Sequence, residues 1–200
     1  MARTQYQRSQ ETQRKLIDAV IQLAREKRYE AVTVKEICAA AGVSTGSFYH
    51  QFGSKDDLVL ATYQKVDWLL TESFLQSCRD LPPAQALDRL LRRYVAFVRD
   101  DVGLVLAQYY RVRLNHFGPA FQHDADRPYF REMRRILREA ADQGLLLSPL
   151  DPVPLAELLI CLIRGLFVDW LIQSGRYDLM ERYEVQILPL LGTMVADKVQ

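Results

Sequence analysis

The stretch GVSTGSFYHQFGSK, residues 42–55, gathers hydroxyls (Ser44, Thr45, Ser47), a phenol (Tyr49), an imidazole (His50) and an ammonium (Lys55) into one short segment. Groups of these kinds bond phosphate oxygens. Gly46 sits among them, although glycine costs a helix interior roughly 0.5–1 kcal/mol. A residue without Cβ lets the first turn of a helix come close to a partner. Three consecutive rings, Phe48, Tyr49 and His50, are more than one buried helix face can hold. Phe48 is expected to turn inward as an anchor, with Tyr49 and His50 pointing outward.

The elements that must position these groups read as helices. After a polar, mobile arm at residues 1–8, Leu16, Ile17, Val20, Leu23 and Ala24 recur at helical spacing from about Glu11 to Lys27. Thr33 and Glu36 form a capping box for a short helix that buries Val34, Ile37 and Cys38 or Ala41, and Gly42 ends it. Ser44 caps the next short helix. Ser54 caps a long one running to about Cys78, with Asp56 and Asp57 in its first turn. Two short helices joined by a tight turn at Gly42-Val43-Ser44 make a helix-turn-helix. In that motif the second helix enters the DNA major groove with its N-terminal residues facing base edges. Clearance at Gly46 and outward donors at Tyr49 and His50 suit that placement. The amides of the helix starts capped by Thr33, Ser44 and Ser54 favour anions, and Lys55 can reach the same backbone.

The rest of the chain also reads as helical, with no alternating run bounded by hairpin turns. Pro82-Pro83 punctuates, and helices follow at roughly 84–100, 102–116 and 124–143, the last stopped by Gly144. Another runs from Pro152 to about Ser174, and a final one from about Asp178 is kinked or divided at Pro189. The segment LLICLIRGLFVDWLI (158–172) is apolar almost all round but is interrupted by Arg164 and Asp169. A membrane span needs about twenty such residues without those interruptions, so no membrane is expected. A helix covered by its own domain on one side and by something else on the other fits better. The last two helices, rich in Val185, Ile187, Leu188, Leu190, Leu191, Met194 and Val195, therefore predict a two-fold homodimer, with a purely monomeric core as the alternative. Arg164 and Asp169 stand five apart, poorly placed to pair with each other. Each is expected to bond across the dimer seam, line a pocket, or sit partly exposed at the helix edge.

An apolar share of 49% and a charged share of 26% are those of a soluble globular chain. The first residues show no basic–apolar–small leader, so the expected location is cytoplasmic. Cys38, Cys78 and Cys161 are far apart among aliphatic neighbours and read as free thiols packed as small hydrophobes. The net charge of +1 conceals an asymmetry. Residues 1–55 hold nine Lys/Arg against five Asp/Glu, which is +4 and leaves −3 for the remainder.

The run TVKEICAAAGVSTGSFYHQFGSKDDLVLATY (33–63) resembles the DNA-binding domain of the tetracycline-repressor (TetR) family of bacterial transcription regulators. It carries the T-V-x-x-I-x-x-x-A-G-V-S opening, the F-Y-H-x-F segment and the S-K-x-x-L entry to the fourth helix. The likeness covers about residues 10–65; GLFVDWLIQSGRYDL (165–179) also looks like the penultimate helix and following turn of many members. The resemblance implies an all-α fold of about nine helices. A helix-turn-helix domain with its arm would occupy 1–54, and a helical ligand-binding and dimerisation domain 55–200. It places Lys35, Thr45, Gly46 and Ser47 where members touch bases, and Thr33, Ser44, Tyr49, His50 and Lys55 where they grip phosphates. Arg3 and Arg8 would add backbone contacts from the arm. Thr45, Gly46 and Ser47 offer no bidentate side chain, so direct base discrimination is modest and Lys35 and DNA shape supply part of the specificity. The packing alternatives are an inward Tyr49, a solvated His50, plain surface charges at Lys35 and Lys55, and simple helix caps at Thr33 and Ser44.

The resemblance further implies a pocket beyond about Asp56 whose ligand shifts the DNA-reading heads, with the long helix from Ser54 as the shared lever. Trp68, Tyr94, Tyr109, Tyr110, Arg113, His116, Phe117 and Phe121 are its candidate lining, suited to a small apolar or amphipathic molecule; the alternative is that these aromatics are core. The function implied is a ligand-responsive regulator, a repressor released from a near-palindromic operator. A small helical enzyme or a ligand-binding protein without a DNA function is the rival. His50, His116 and His123 make no metal-binding HxxxH or HExxH set and no glycine-rich phosphate loop is present, so neither metal nor cofactor is expected.

Overall fold

The computed structural model describes residues 5–63, 65–115 and 127–196. Among these residues the regular elements are helical, apart from one antiparallel bridge between Leu146 and Val195. The chain divides into two compact units, one from 1–65 with 101–117 and the other from 66–100 with 118–200.

In the first unit α1 spans Gln5–Glu26 and buries Leu16, Ile17, Val20 and Ile21. It begins earlier than expected, so Gln5–Arg8 is helix and not a mobile arm. Nothing in QYQRSQ breaks a helix, and Gln and Arg are good formers. The Gln10 amide also donates to the Tyr6 hydroxyl four residues back at 2.7 Å. Helix α2 (Val34–Ala41) starts at the expected capping box: the Glu36 amide bonds Thr33 Oγ1 and the Thr33 amide bonds the Glu36 carboxylate. Gly42 ends it in the left-handed region, φ 65°, which glycine adopts without strain. Helices α3 (Thr45–Gln51) and α4 (Lys55–Thr62) begin at Ser44 and Ser54, whose hydroxyls accept the Ser47 and Asp57 amides.

The long fourth helix is not continuous. After α4 come a single-turn α5 (Lys65–Trp68) and α6 (Glu72–Arg79). Thr71 is extended, ψ 155°, and its hydroxyl caps α6 by accepting the Phe74 amide, so the chain restarts a helix there. The lever expected from Ser54 to Cys78 is therefore a series of segments. The expected domain division at residue 54 also differs from the compact units. Leu58, Val59 and Tyr63 of α4 are buried, and the Tyr63 ring stacks on Tyr109 of α8 (Leu106–Asn115) at 4.3 Å, so both helices belong with the first unit.

In the second unit lies α7 (Pro83–Ala96); the π-helical Phe97–Val102 follows it, and the 3₁₀ turn Gly103–Val105 of the first unit separates it from α8, as the two expected helices require. Gly103 has φ 58°, the conformation that lets the path bend. Helices α9 (Pro128–Asp142), α10 (Pro152–Ile172), α11 (Leu179–Gln186) and α12 (Leu188–Met194) complete it. The break before Leu188 agrees with Pro189 dividing the last helix. The core includes Leu87, Leu90, Leu91, Met133, Leu137, Leu159, Ile163 and Phe167. Arg92 on α7 bridges Asp88 and Glu184, and the Tyr183 hydroxyl donates to Asp88 at 2.8 Å, which ties α11 to α7.

Arg164 is half-buried and lies over the Phe130 ring at 5.8 Å, and Asp169 is exposed and accepts from the Tyr177 hydroxyl at 2.8 Å, a placement that fits the helix-edge alternative. Cys38 and Cys78 are buried, which raises their thiol pKa values, but Cys161 is exposed on α10 instead of packed as a small hydrophobe.

Candidate nucleic-acid interface

The α2–turn–α3 segment is locally determined. At its turn the Gly42 amide bonds Ala39 O at 3.2 Å and the Val43 amide bonds Cys38 O at 3.0 Å, satisfying the last carbonyls of α2. On α3, Phe48 is 0% exposed and packs edge-on to Tyr49 at 5.2 Å, with Phe52 beyond it at 6.0 Å. Tyr49 is 60% exposed and His50 is exposed as well. The inward anchor and outward pair read from the sequence match this placement.

Gly46 is exposed and not in the left-handed region. A Cβ built there would meet only Ser44 Oγ, at 3.7 Å, which is ordinary contact. Nothing among the described residues requires glycine at this position. Thr45 and Lys35 are exposed, and Ser47 is half-buried with its hydroxyl 2.9 Å from that of Ser44.

Three phosphate candidates are engaged with the protein itself: Ser44, whose hydroxyl accepts the Ser47 amide at 3.0 Å and shares a hydrogen bond with the Ser47 hydroxyl, and Thr33 and Lys55. Thr33 Oγ1 donates to Glu36 at 2.8 Å while serving as cap. Lys27, 2.6 Å from Glu36, leads the forces on that carboxyl; with the Thr33 amide and hydroxyl it lowers the pKa to about 2. Lys55 is half-buried, donates to Tyr29 O at 3.1 Å and Val32 O at 2.8 Å, and stands over the Tyr29 ring at 4.3 Å. The Tyr29 hydroxyl in turn donates to Lys55 O at 3.1 Å. Burial, then the negative charge of Asp56, pushes the Tyr29 phenol well above its ordinary range. Lys55 thus locks the start of α4 to the loop between α1 and α2, and an ammonium has only three N–H groups to give.

Beside α3 runs an open groove of ≈ 470 Å³ lined by Gln5, Arg8, Ser9, Thr12, Ser44, Gly46, Ser47, His50 and Gln51. Sequence reading missed the α1 side of it, apart from Arg8, because those residues fell within or beside the supposed arm. It also missed a reciprocal pair: Gln51 Nε2 donates to Ser9 Oγ at 2.8 Å and Ser9 Oγ lies 3.2 Å from Gln51 Oε1. Gln51 follows Phe48 by three, a spacing that marks the inward side of α3.

The candidate effector residues are divided between the units. Tyr94 is core of the second, its ring 4.8 Å from Tyr129 and 5.0 Å from Phe167, and Trp68 is half-buried in the same unit. Tyr109, Tyr110 and Arg113 belong to the first, with Tyr109 and Tyr110 in ring contact at 5.5 Å. His116, Phe117 and Phe121 lie outside the described residues, as does Arg3.

Residues 16–62 match the family model of bacterial regulatory proteins, tetR family. The HTH-type transcriptional regulator CymR of Pseudomonas putida is 36% identical over 100 residues, 50% of this chain and 49% of that protein. The chain spans about half the length of the curated relatives it matches. Among solved structures, TylP, a TetR regulator from Streptomyces fradiae, superposes with a TM-score of 0.61 at 25% identity, covering 96% of this chain and 83% of that one. AibR, solved with isovaleryl coenzyme A and operator DNA, shares the fold, with a TM-score of 0.57 at 20% identity over 94% and 100% of the two chains. The segment that matches the tetR family model thus folds as a capped helix-turn-helix, and the chain is similar in fold to TylP and AibR over most of its length.

Proposed function

We propose that the chain is a ligand-responsive, DNA-binding transcriptional regulator, a repressor that a small apolar or amphipathic effector releases from a near-palindromic operator. Gly46 carries this reading: an exposed glycine that weakens its own helix and that no contact among the described residues explains. Clearance for a duplex explains it. In this reading Lys35, Thr45, Gly46 and Ser47 face bases, and Ser44, Tyr49 and His50 hold phosphates. Ser44, Thr33 and Lys55 contribute only with the hydrogen-bonding capacity their internal bonds leave. The effector reading rests on the fold shared with regulators such as AibR, whose structure holds an acyl-coenzyme A and DNA together. The place of action is the cytoplasm, where the DNA is.

The functional form is a homodimer through α10 and the α11–α12 pair. Along α10, Leu158, Cys161, Gly165, Val168 and Ile172 are exposed at alternating spacings of three and four, with Val185 and Leu190 exposed on α11 and α12. Such a stripe suits a second helix of the same kind. Among the described residues no helix is long and apolar enough to cross a membrane.

A mobility-shift assay on the intergenic DNA upstream of the chain's own gene tests the proposal. The expected result is a tight shift that weakens steeply as salt rises, because each neutralised phosphate releases a counterion. A flat salt response, or no shift on any upstream sequence, overturns it.

A further inference from the structure

Helix α3 has seven residues, too few to hold a helix in isolation. Its orientation must come from the rest of the unit. Phe48 and Phe52 supply buried apolar area, but such contacts are non-directional and tolerate rotation of the helix about its axis. The Ser44 cap is internal to the helix and fixes nothing outside it. The paired hydrogen bonds between Gln51 and Ser9 differ in kind, because they join the last residue of α3 to α1, both side chains are half-buried, and hydrogen bonds are angle-dependent.

Rotation matters more here than in most base readers. Thr45, Gly46 and Ser47 have short side chains or none, with no flexible reach to make up for a misplaced helix. A long arginine can swing to recover its bond to guanine; a serine hydroxyl cannot.

We propose that Ser9 and Gln51 are specificity-determining positioning residues, a polar clamp between α1 and α3 that sets the rotation of the reading helix while touching no base. The inference rests on the DNA-reading function proposed above. The clamp affects the sequence-specific share of binding and leaves phosphate-driven binding to any duplex unchanged.

The test uses the full chain, a duplex enriched by the wild-type protein from a randomised library, and a scrambled duplex of equal length. Ser9→Thr keeps the hydroxyl and Ser9→Val has the same shape without it. Ser9→Val is expected to lose about tenfold on the enriched duplex, a coupling energy within the usual range for contacting polar residues. It should change neither its affinity for the scrambled duplex nor its salt slope, and Ser9→Thr should retain wild-type preference. Gln51→Leu should reproduce the loss, and the Ser9→Val, Gln51→Leu double variant should be no worse than either single one. Circular dichroism melts establish that each variant is folded. If Thr and Val behave alike, if both duplexes weaken in parallel, or if the two losses add, the clamp is not a positioning device. Failure of the wild-type chain to enrich any duplex is a separate outcome and sinks the DNA reading itself.

Discussion

Helices α3 and α10 each present a surface that their own unit does not use, and the two surfaces differ in chemistry. Helix α3 is seven residues long and buries Phe48, while Tyr49 and His50 stand in solvent. Helix α10 is 21 residues long and buries eight of them, yet still exposes Leu158, Val168 and Ile172. Polar donors left outward on a glycine-bearing helix suit an anion that comes close. Apolar side chains left outward at spacings of three and four suit another apolar helix. An exposed face that packing cannot explain therefore names the class of partner through its atoms.

Substitutions that separate the two faces sharpen the comparison, and the largest effect belongs to the anchor they lack in common. Phe48→Ala removes a ring with 0% exposure and is expected to destabilise the first unit by about 3–5 kcal/mol. Both tryptophans, Trp68 and Trp170, lie in the second unit, so helicity should be lost in denaturant before tryptophan fluorescence changes. Coincident transitions would mean that the units do not unfold separately.

Ile172→Asp puts a charge where the side chain is 72% exposed, so the fold should tolerate it. In a dimer seam the unpaired carboxylate would cost about 3 kcal/mol or more. Light scattering should then report monomer, and operator affinity should collapse with it. A variant that stays dimeric moves the seam away from α10.

Gly46→Ala is the sharpest test of α3, because its two effects have opposite signs. The fold should gain roughly 0.5–1 kcal/mol from the better helix former, read as a raised melting temperature. Operator affinity should fall by about tenfold through the lost clearance. Equal or tighter binding would leave the glycine unexplained. Tyr49→Phe should be milder, weakening every duplex alike by about 1 kcal/mol for one lost phosphate bond, whereas Lys35→Ala should change preference at a single base. A preference change in Tyr49→Phe would reverse these assignments.

The smallest effect is electrostatic and confined to α2. The Glu36 carboxyl has a pKa of about 2 in the fold against an ordinary 4.5, so its contribution is present above 4.5 and is lost as pH falls toward 2. Amide exchange at the Glu36 N–H, which bonds Thr33 Oγ1, should stay protected at pH 4 and open only below about 3. Opening at pH 5 would mean that Lys27 does not hold the carboxylate.

Much of the first unit was legible because its signals are short-range. The Thr33–Glu36 box, left-handed Gly42, and the Ser44 and Ser54 caps each act within four residues, and each is where sequence reading put it. The inward turn of Phe48 and the division near Pro189 follow from helical period and proline chemistry in the same way. What failed depended on distance. Lys55 looked like a free cation until the fold brought the Tyr29 and Val32 carbonyls to it, and Phe130 and Tyr177 as the partners of Arg164 and Asp169 appear only in the fold. The breaks in the expected long helix and the helical start at Gln5 belong to the same group, because helix propensity there leaves both outcomes open and packing chooses between them.

The amino-acid sequence by itself determined the helical period, the caps and turns, and the cluster of donors around Gly46, since these depend on neighbours a few bonds away. Only the tertiary structure decided which donors remain available, which helices share a core, and that Ser9 meets Gln51 from 42 residues away. Those outcomes arise when apolar burial brings distant segments together, and no local preference encodes which polar groups then meet.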